Sequence, residues 1–163
     1  MEKCNFNLLA CHNYDVANGN IEGIFNSTIL KDDRCLTFDL LTILNFIDKQ
    51  FDRLIIFYCI YNVSKGERSA KIINKSVFTR TDGVSGVNGR SRKTALMHLS
   101  SAVKSLRISN MKFTEKGDYE IRAYAFWDEE CDDITKKEVG DILIDELILK
   151  PEHMASVINI EVM

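Results

Sequence analysis

The chain has 163 residues, 45% of them apolar and 28% charged, with a net charge of −3. That length buries a real hydrophobic core and fits one domain, 1–163, and the apolar and charged contents are those of a globular protein rather than a disordered one. Eight glycines and one proline, Pro151, leave no linker, no low-complexity tract and no repeat of fixed period.

The first element in chain order is FNLLACHNYDV at 6–16, a strand of mixed apolar and polar residues. LLAC at 8–11 has the look of a lipoprotein cleavage motif, but the apolar run before Cys11 is too short and is broken by Asn5 and Asn7. Asn18-Gly19 is a tight-turn signal, so NIEGIFNSTIL at 20–30 reads as the returning strand of a hairpin. Gly23 inside it marks a bulge or a close backbone approach.

LTFDLLTILNFID at 36–48 fits a helical stripe and a strand face alike, and its β-branched and aromatic content favours strand. RLIIFYCIYNV at 53–63 is apolar on both faces, which predicts a central strand buried on both sides. Lys65-Gly66-Glu67 turns the chain into SAKIINKSVFTRT, another strand. TDGVSGVNGRSRK at 81–93 is the longest loop, and 94–106 is open between helix and strand. GDYEIRAYAFWD at 117–128 alternates cleanly and is a strand. DEECDDITKKEVGD reads as a polar loop, and DILIDELILK and SVINIEV as the closing strands. Eight or nine short strands with at most one short helix predict an all-β, antiparallel sandwich.

One stretch carries more. In LRISNMKFTEKGDYEI at 106–121, Leu106, Ile108, Met111, Gly117 and Tyr119 stand at fixed intervals. The pattern resembles the E–F corner of immunoglobulin-like domains, with Glu115 where that family has Asp and Ile121 where it has a disulfide cysteine. The resemblance implies an immunoglobulin-like or related Greek-key topology without the disulfide. It also implies a corner in which Gly117 allows the turn while Tyr119 packs its ring and bonds backbone upstream. More loosely, the chain is similar to small uncharacterised bacterial β-sandwich proteins, a likeness that adds no chemistry.

Cys4, Cys11, Cys35, Cys59 and Cys131 are odd in number and contain no C-x-x-C pair. This argues against a disulfide framework and a structural zinc, and for a reducing compartment, the cytoplasm. No segment approaches the ~20 apolar residues of a membrane-spanning helix.

The overall charge hides an uneven distribution. Residues 65–122 carry a net of +8, residues 123–163 a net of −8 and residues 1–64 a net of −3. Arg80, Arg90, Arg92 and Lys93 gather in the glycine-rich loop and are candidates for contact with an anion or a partner. The loop is no P-loop, and no aromatic residue interleaves with its basic ones. Asp128, Glu129, Glu130, Asp132 and Asp133 form the acidic counterpart, a candidate partner contact. Their spacing is not that of a calcium loop, and a solvated acidic turn is the simpler reading.

His12, His98 and His153 are scattered without metal-pair spacing, and G-x-S-x-G is absent. Nothing here supports catalysis or a cofactor. The expected function is therefore a non-catalytic binding or assembly module for protein–protein interaction, including self-association through the oppositely charged loops. The alternative is anion or nucleic-acid binding through loop 80–93.

Overall fold

Two β-sheets pack face to face in a computed structural model that describes residues 4–29, 34–46, 51–79, 101–140 and 142–163. The strands are β1 (Cys4–Asp15), β2 (Asn20–Ile24), β3 (Ser27–Thr28), β4 (Cys35–Phe46), β5 (Arg53–Asn62), β6 (Lys71–Thr79), β7 (Ser101–Lys112), β8 (Gly117–Trp127) and β9 (Met154–Val162). Between β8 and β9 stand two helices, α1 (Glu130–Val139) and α2 (Leu143–Leu149). The first sheet has the order β2-β1-β4-β7 and the second β3-β9-β8-β5-β6. β4 and β7 are neighbours in one sheet while β5 and β8 are neighbours in the other, the Greek-key arrangement of an immunoglobulin-like sandwich. Every described pairing is antiparallel except β3 with β9.

Alternation places the core between the sheets. Leu8 and Ala10 from β1, Phe38, Leu40 and Leu44 from β4, and Leu54, Ile56, Tyr58 and Ile60 from β5 all point inward and are buried. Tyr58 brings a hydroxyl into this layer, where it bonds Thr42 Oγ1 at 2.5 Å and Ser76 Oγ at 3.3 Å. That pairing removes the cost of a buried polar group.

β5 is buried on both faces, as its continuous apolar run predicts. Its second face carries Ile55, Phe57 and Cys59, joined by Tyr124 and Phe126 from β8. α1 and α2 cover it with Cys131, Ile134, Leu143 and Leu147. The sandwich therefore has a third layer on one side.

This layer corrects the expectation for 128–150. The segment read as a polar loop becomes α1, and DILIDELILK becomes α2 rather than a strand. Cys131 and Ile134 stand three apart, and Leu143 and Leu147 four apart, so each helix buries one face. Glu130, Asp132 and Asp133 occupy the first turn of α1 and Lys136 and Lys137 the last, which suits the helix dipole. Glu146 ties the pair together, 2.7 Å from Lys137 Nζ and 3.3 Å from Lys150 Nζ.

Two further differences are local. NIEGIFNSTIL is not one strand: β2 belongs to the first sheet and β3 to the second, so the chain changes sheets at Phe25–Asn26. Gly23, with φ of 65°, makes the approach possible, because a Cβ there would lie 2.5 Å from His12 Cδ2. Within 36–48 the residues up to Phe46 belong to strand β4, and within 94–106 the residues from Ser101 onward belong to β7; residues 47–48 and 94–100 lie outside the described residues.

At the β7–β8 corner Gly117 adopts φ of 132°. Tyr119 donates its hydroxyl to Glu115 O at 2.8 Å and sets its ring edge-on to Phe113 at 4.8 Å. Ile121 is fully buried in the core.

Candidate functional site

The five cysteines are free thiols. Among the described residues no group of three or more His, Cys, Asp or Glu side chains is placed to hold a metal ion. No helix among them is long and apolar enough to cross a membrane.

The candidate basic residues Arg80, Arg90, Arg92 and Lys93 lie outside the described residues. The acidic group lies at the β8–α1 junction, and three of its five members have internal partners. Asp128, with φ of 48°, accepts the backbone N–H of Asp52 at 2.7 Å and of Arg53 at 3.1 Å through Oδ1. Glu130 accepts the Trp127 N–H at 3.1 Å and faces His153 Nε2 at 3.6 Å, while Asp132 pairs with the Arg53 guanidinium. Glu129 and Asp133 are exposed. Much of the acidic group thus fastens α1 to the start of β5.

His12 stacks on Phe25 at 4.8 Å and His153 on Phe126 at 4.4 Å. Both rings pack against aromatic neighbours, and His153 Nδ1 also lies 3.2 Å from Ala125 O.

The concave feature with the most consequence is on the side where the chain changes sheets. β2 covers only the Cys11–Asp15 half of β1, and β3 covers only Glu161 and Val162 of β9. Ala10 O accepts the Phe25 N–H at 3.1 Å, and backbone groups alternate sides along a strand. The peptide groups of Phe6 and Leu8 therefore face the same edge, with no strand beside them among the described residues. On β9, the Glu161 N–H bonds Asn26 O at 2.9 Å, so by the same alternation the N–H groups of Val157 and Asn159 face outward.

Between these edges lies a groove of about 500 Å³. Leu8, Ala10, Ile24, Phe25 and Ile158 give it an apolar lining, with Asn159 beside them. Ile24 is 63% exposed, so the groove continues onto the surface of β2. Its parts come from β1, the β2–β3 crossing and β9, at opposite ends of the sequence. No sequence motif marks them, and only the pairing register reveals that no described strand covers either edge.

No protein-family model matches the chain, and no curated protein matches it. Solved structures do resemble it. A hemolymph-type prophenoloxidase from a crustacean aligns with a TM-score of 0.50 at 8% identity, over 99% of this chain and 34% of that one. A CARDB domain from Pyrococcus furiosus, solved in complex with di-metal ions, aligns with a TM-score of 0.46 at 9% identity, over 98% of this chain and 91% of that one. A β-glucosidase from Listeria innocua aligns with a TM-score of 0.45 at 9% identity, over 98% of this chain and 16% of that one. The chain thus spans about a third of the prophenoloxidase and about a sixth of the β-glucosidase. At such identities likeness speaks to the fold alone.

Proposed function

We propose that the chain is a non-catalytic binding module whose partner is a protein, held as an extended strand in the groove beside β9. The observation that carries this reading is the pair of strand edges that no described strand covers on one side of the sandwich, with an apolar groove between them. An unpaired edge presents N–H and C=O groups that an incoming strand satisfies, and pockets for alternate side chains add selectivity. Here the outward groups of Val157 and Asn159 give the hydrogen bonds, and Leu8, Ile24 and Ile158 receive the partner's apolar side chains. The same geometry on a second copy of the chain offers self-association as a special case.

The test separates edge from fold. Proline is tolerated at an edge position whose N–H points to solvent, because no ladder bond is lost. Asn159→Pro should therefore leave the melting temperature within a few degrees of wild type. Peptides selected against the wild-type protein from a displayed random library should bind Asn159→Pro at least about tenfold more weakly. Sedimentation should show a mass above 18.7 kDa where self-association occurs. A library that yields no binder, together with a monomer at every concentration, sinks the reading. So do selected peptides that ignore both Asn159→Pro and Ile24→Asp.

A further inference from the structure

A second concavity lies at the end of the sandwich where β7 turns into β8, and it shares no residue with the groove. It measures about 250 Å³. Its floor is apolar: Ile60 from β5, Met111 from the end of β7, Phe113 just beyond it, and the Tyr119 ring. All four belong to the inter-sheet core, so the cavity is the open end of that core.

Its rim is cationic, with Lys65, Lys71 and Lys112 lining the mouth. Lys71 sits opposite Ile60 in the β5–β6 ladder. Directly opposed side chains share a face, so Lys71 is carried on the inner side of its sheet. Lys65 Nζ is 2.9 Å from Glu115, the one carboxylate paired to the rim. Lys71 and Lys112 have no ion pair among the described residues. Three lysines therefore border an apolar floor, and the ion pair of Lys65 with Glu115 is the one that the described residues place at this rim.

Asn62 adds an independent sign. It lines the cavity and is only 5% exposed. Its Oδ1 accepts the N–H of Ser64 at 2.9 Å, the Ser64 hydroxyl at 2.6 Å and the Lys65 N–H at 3.4 Å. These three donors fix the amide orientation and turn Nδ2 away from them. Nδ2 has no hydrogen-bond partner among the described residues. No fully enclosed side-chain N or O among those residues lacks a partner, so Nδ2 must keep access to open space. The cavity that Asn62 lines offers such a space.

We propose that this cavity binds a carboxylate carried on a short apolar body. The body covers Ile60, Met111, Phe113 and Tyr119, and the carboxylate sits among the three lysines with Asn62 Nδ2 as a neutral donor. Size sets the limit. The cavity falls below the ~300–1,000 Å³ of pockets that enclose drug-sized ligands, so it takes a group of side-chain dimensions and not a nucleotide. A bare phosphate would leave the floor wet. The ligand can be a free aliphatic or aryl acid, or the terminal carboxylate of a peptide that ends in an apolar residue.

The experiment is a titration of the full chain, followed by calorimetry and by the amide resonances of Phe113 and Tyr119. The probes are straight-chain carboxylates from acetate to octanoate, the alcohols of the same lengths, inorganic phosphate, and a leucine-terminated peptide with free or amidated C-terminus. Affinity should rise with chain length until the floor is covered, and each alcohol should bind at least about tenfold more weakly than its acid. Lys71→Met and Lys112→Met keep the apolar stem, so melting should not change. Each should weaken binding about three- to tenfold and flatten its salt dependence. Binding of the free peptide but not the amidated one assigns a chain terminus as the source; binding of the small acids alone assigns a metabolite-sized acid. The proposal is overturned if alcohols match acids, if phosphate outcompetes every acid, if both methionine variants bind like wild type, or if no probe shifts the two resonances. Asn159→Pro should leave this binding untouched, so the two sites stand or fall separately.

Discussion

The β7–β8 corner and the helical layer over β5 are held together in opposite ways. At the corner every partner is close in sequence: Tyr119 bonds Glu115 O, Gly117 turns the chain, and Phe113 receives the ring. In the helical layer Leu143 and Leu147 lie over Phe57 and Cys59, strands and helices that the chain brings together from far apart. The corner stabilises through one hydrogen bond and one backbone conformation, each worth about 1 kcal/mol. The helical layer stabilises through apolar burial, which scales with area and is larger. A short segment can therefore announce a corner, whereas a covering layer is announced only by what it must cover.

The largest expected effect follows from that burial. Leu147 is fully buried on α2, while Leu149, two residues on, is 76% exposed. Leu147→Ala should cost about 2–5 kcal/mol, and Leu149→Ala should stay within about 0.5 kcal/mol. Thermal melts of the two variants measure the contrast. An unchanged melt for Leu147→Ala would mean that the outer face of β5 does not need its cover, and the comparison would fail.

A smaller effect should appear at alkaline pH, and it reads the same layer. Burial pushes the Cys59 thiol up to about 11 from an ordinary value near 9. Burial also raises Cys131 and the Tyr124 phenol, both packed in this layer. In the unfolded chain the Cys59 thiol loses its proton near pH 9, while the folded chain keeps it to about 11. Between those values the native state binds more protons, so stability falls as pH rises. For Cys59 alone a shift of this size corresponds to roughly 2–3 kcal/mol at most. Urea midpoints should decline from pH 9 to pH 11, and Cys59→Ala should decline less steeply. A midpoint that holds or rises over that range would show that the thiol is not sealed by the helices.

The contrast also explains what could be read in advance. The sandwich was legible because alternation in GDYEIRAYAFWD and the two-sided run LIIFYCIYNV constrain a strand from its own residues. The two-sided burial of that run was legible, but the third layer that covers its outer face was not part of the sequence reading. The layer itself hid in DILIDELILK, where Ile142, Ile144 and Ile148 imitate a strand while Leu143 and Leu147 set the helical stripe. In NIEGIFNSTIL the close approach at Gly23 was legible, whereas the change of sheet at Phe25–Asn26 was not, because it shows only in which strands β2 and β3 pair with. The groove was unreadable for a related reason: Leu8, Ile24 and Ile158 acquire meaning only when the register shows that no described strand covers their edges. The corner cavity was half visible. Lys65, Lys71 and Lys112 belong to the stretch of net charge +8, but charge alone does not tell that they ring an apolar floor.

The corner itself should show the smallest effect of the three. Tyr119→Phe removes the hydroxyl that donates to Glu115 O and keeps the ring against Phe113. Glu115 is exposed, so water can replace the lost donor, and no buried group is stranded. The cost should be about 1 kcal/mol, a shift of roughly 2–4 °C in melting temperature for a chain of this size. It should also be additive with Leu147→Ala, since the two sites share no partner. A double variant that loses much more than the sum would show that the corner and the helical layer are coupled through β8, and that the local device does more than close its own turn.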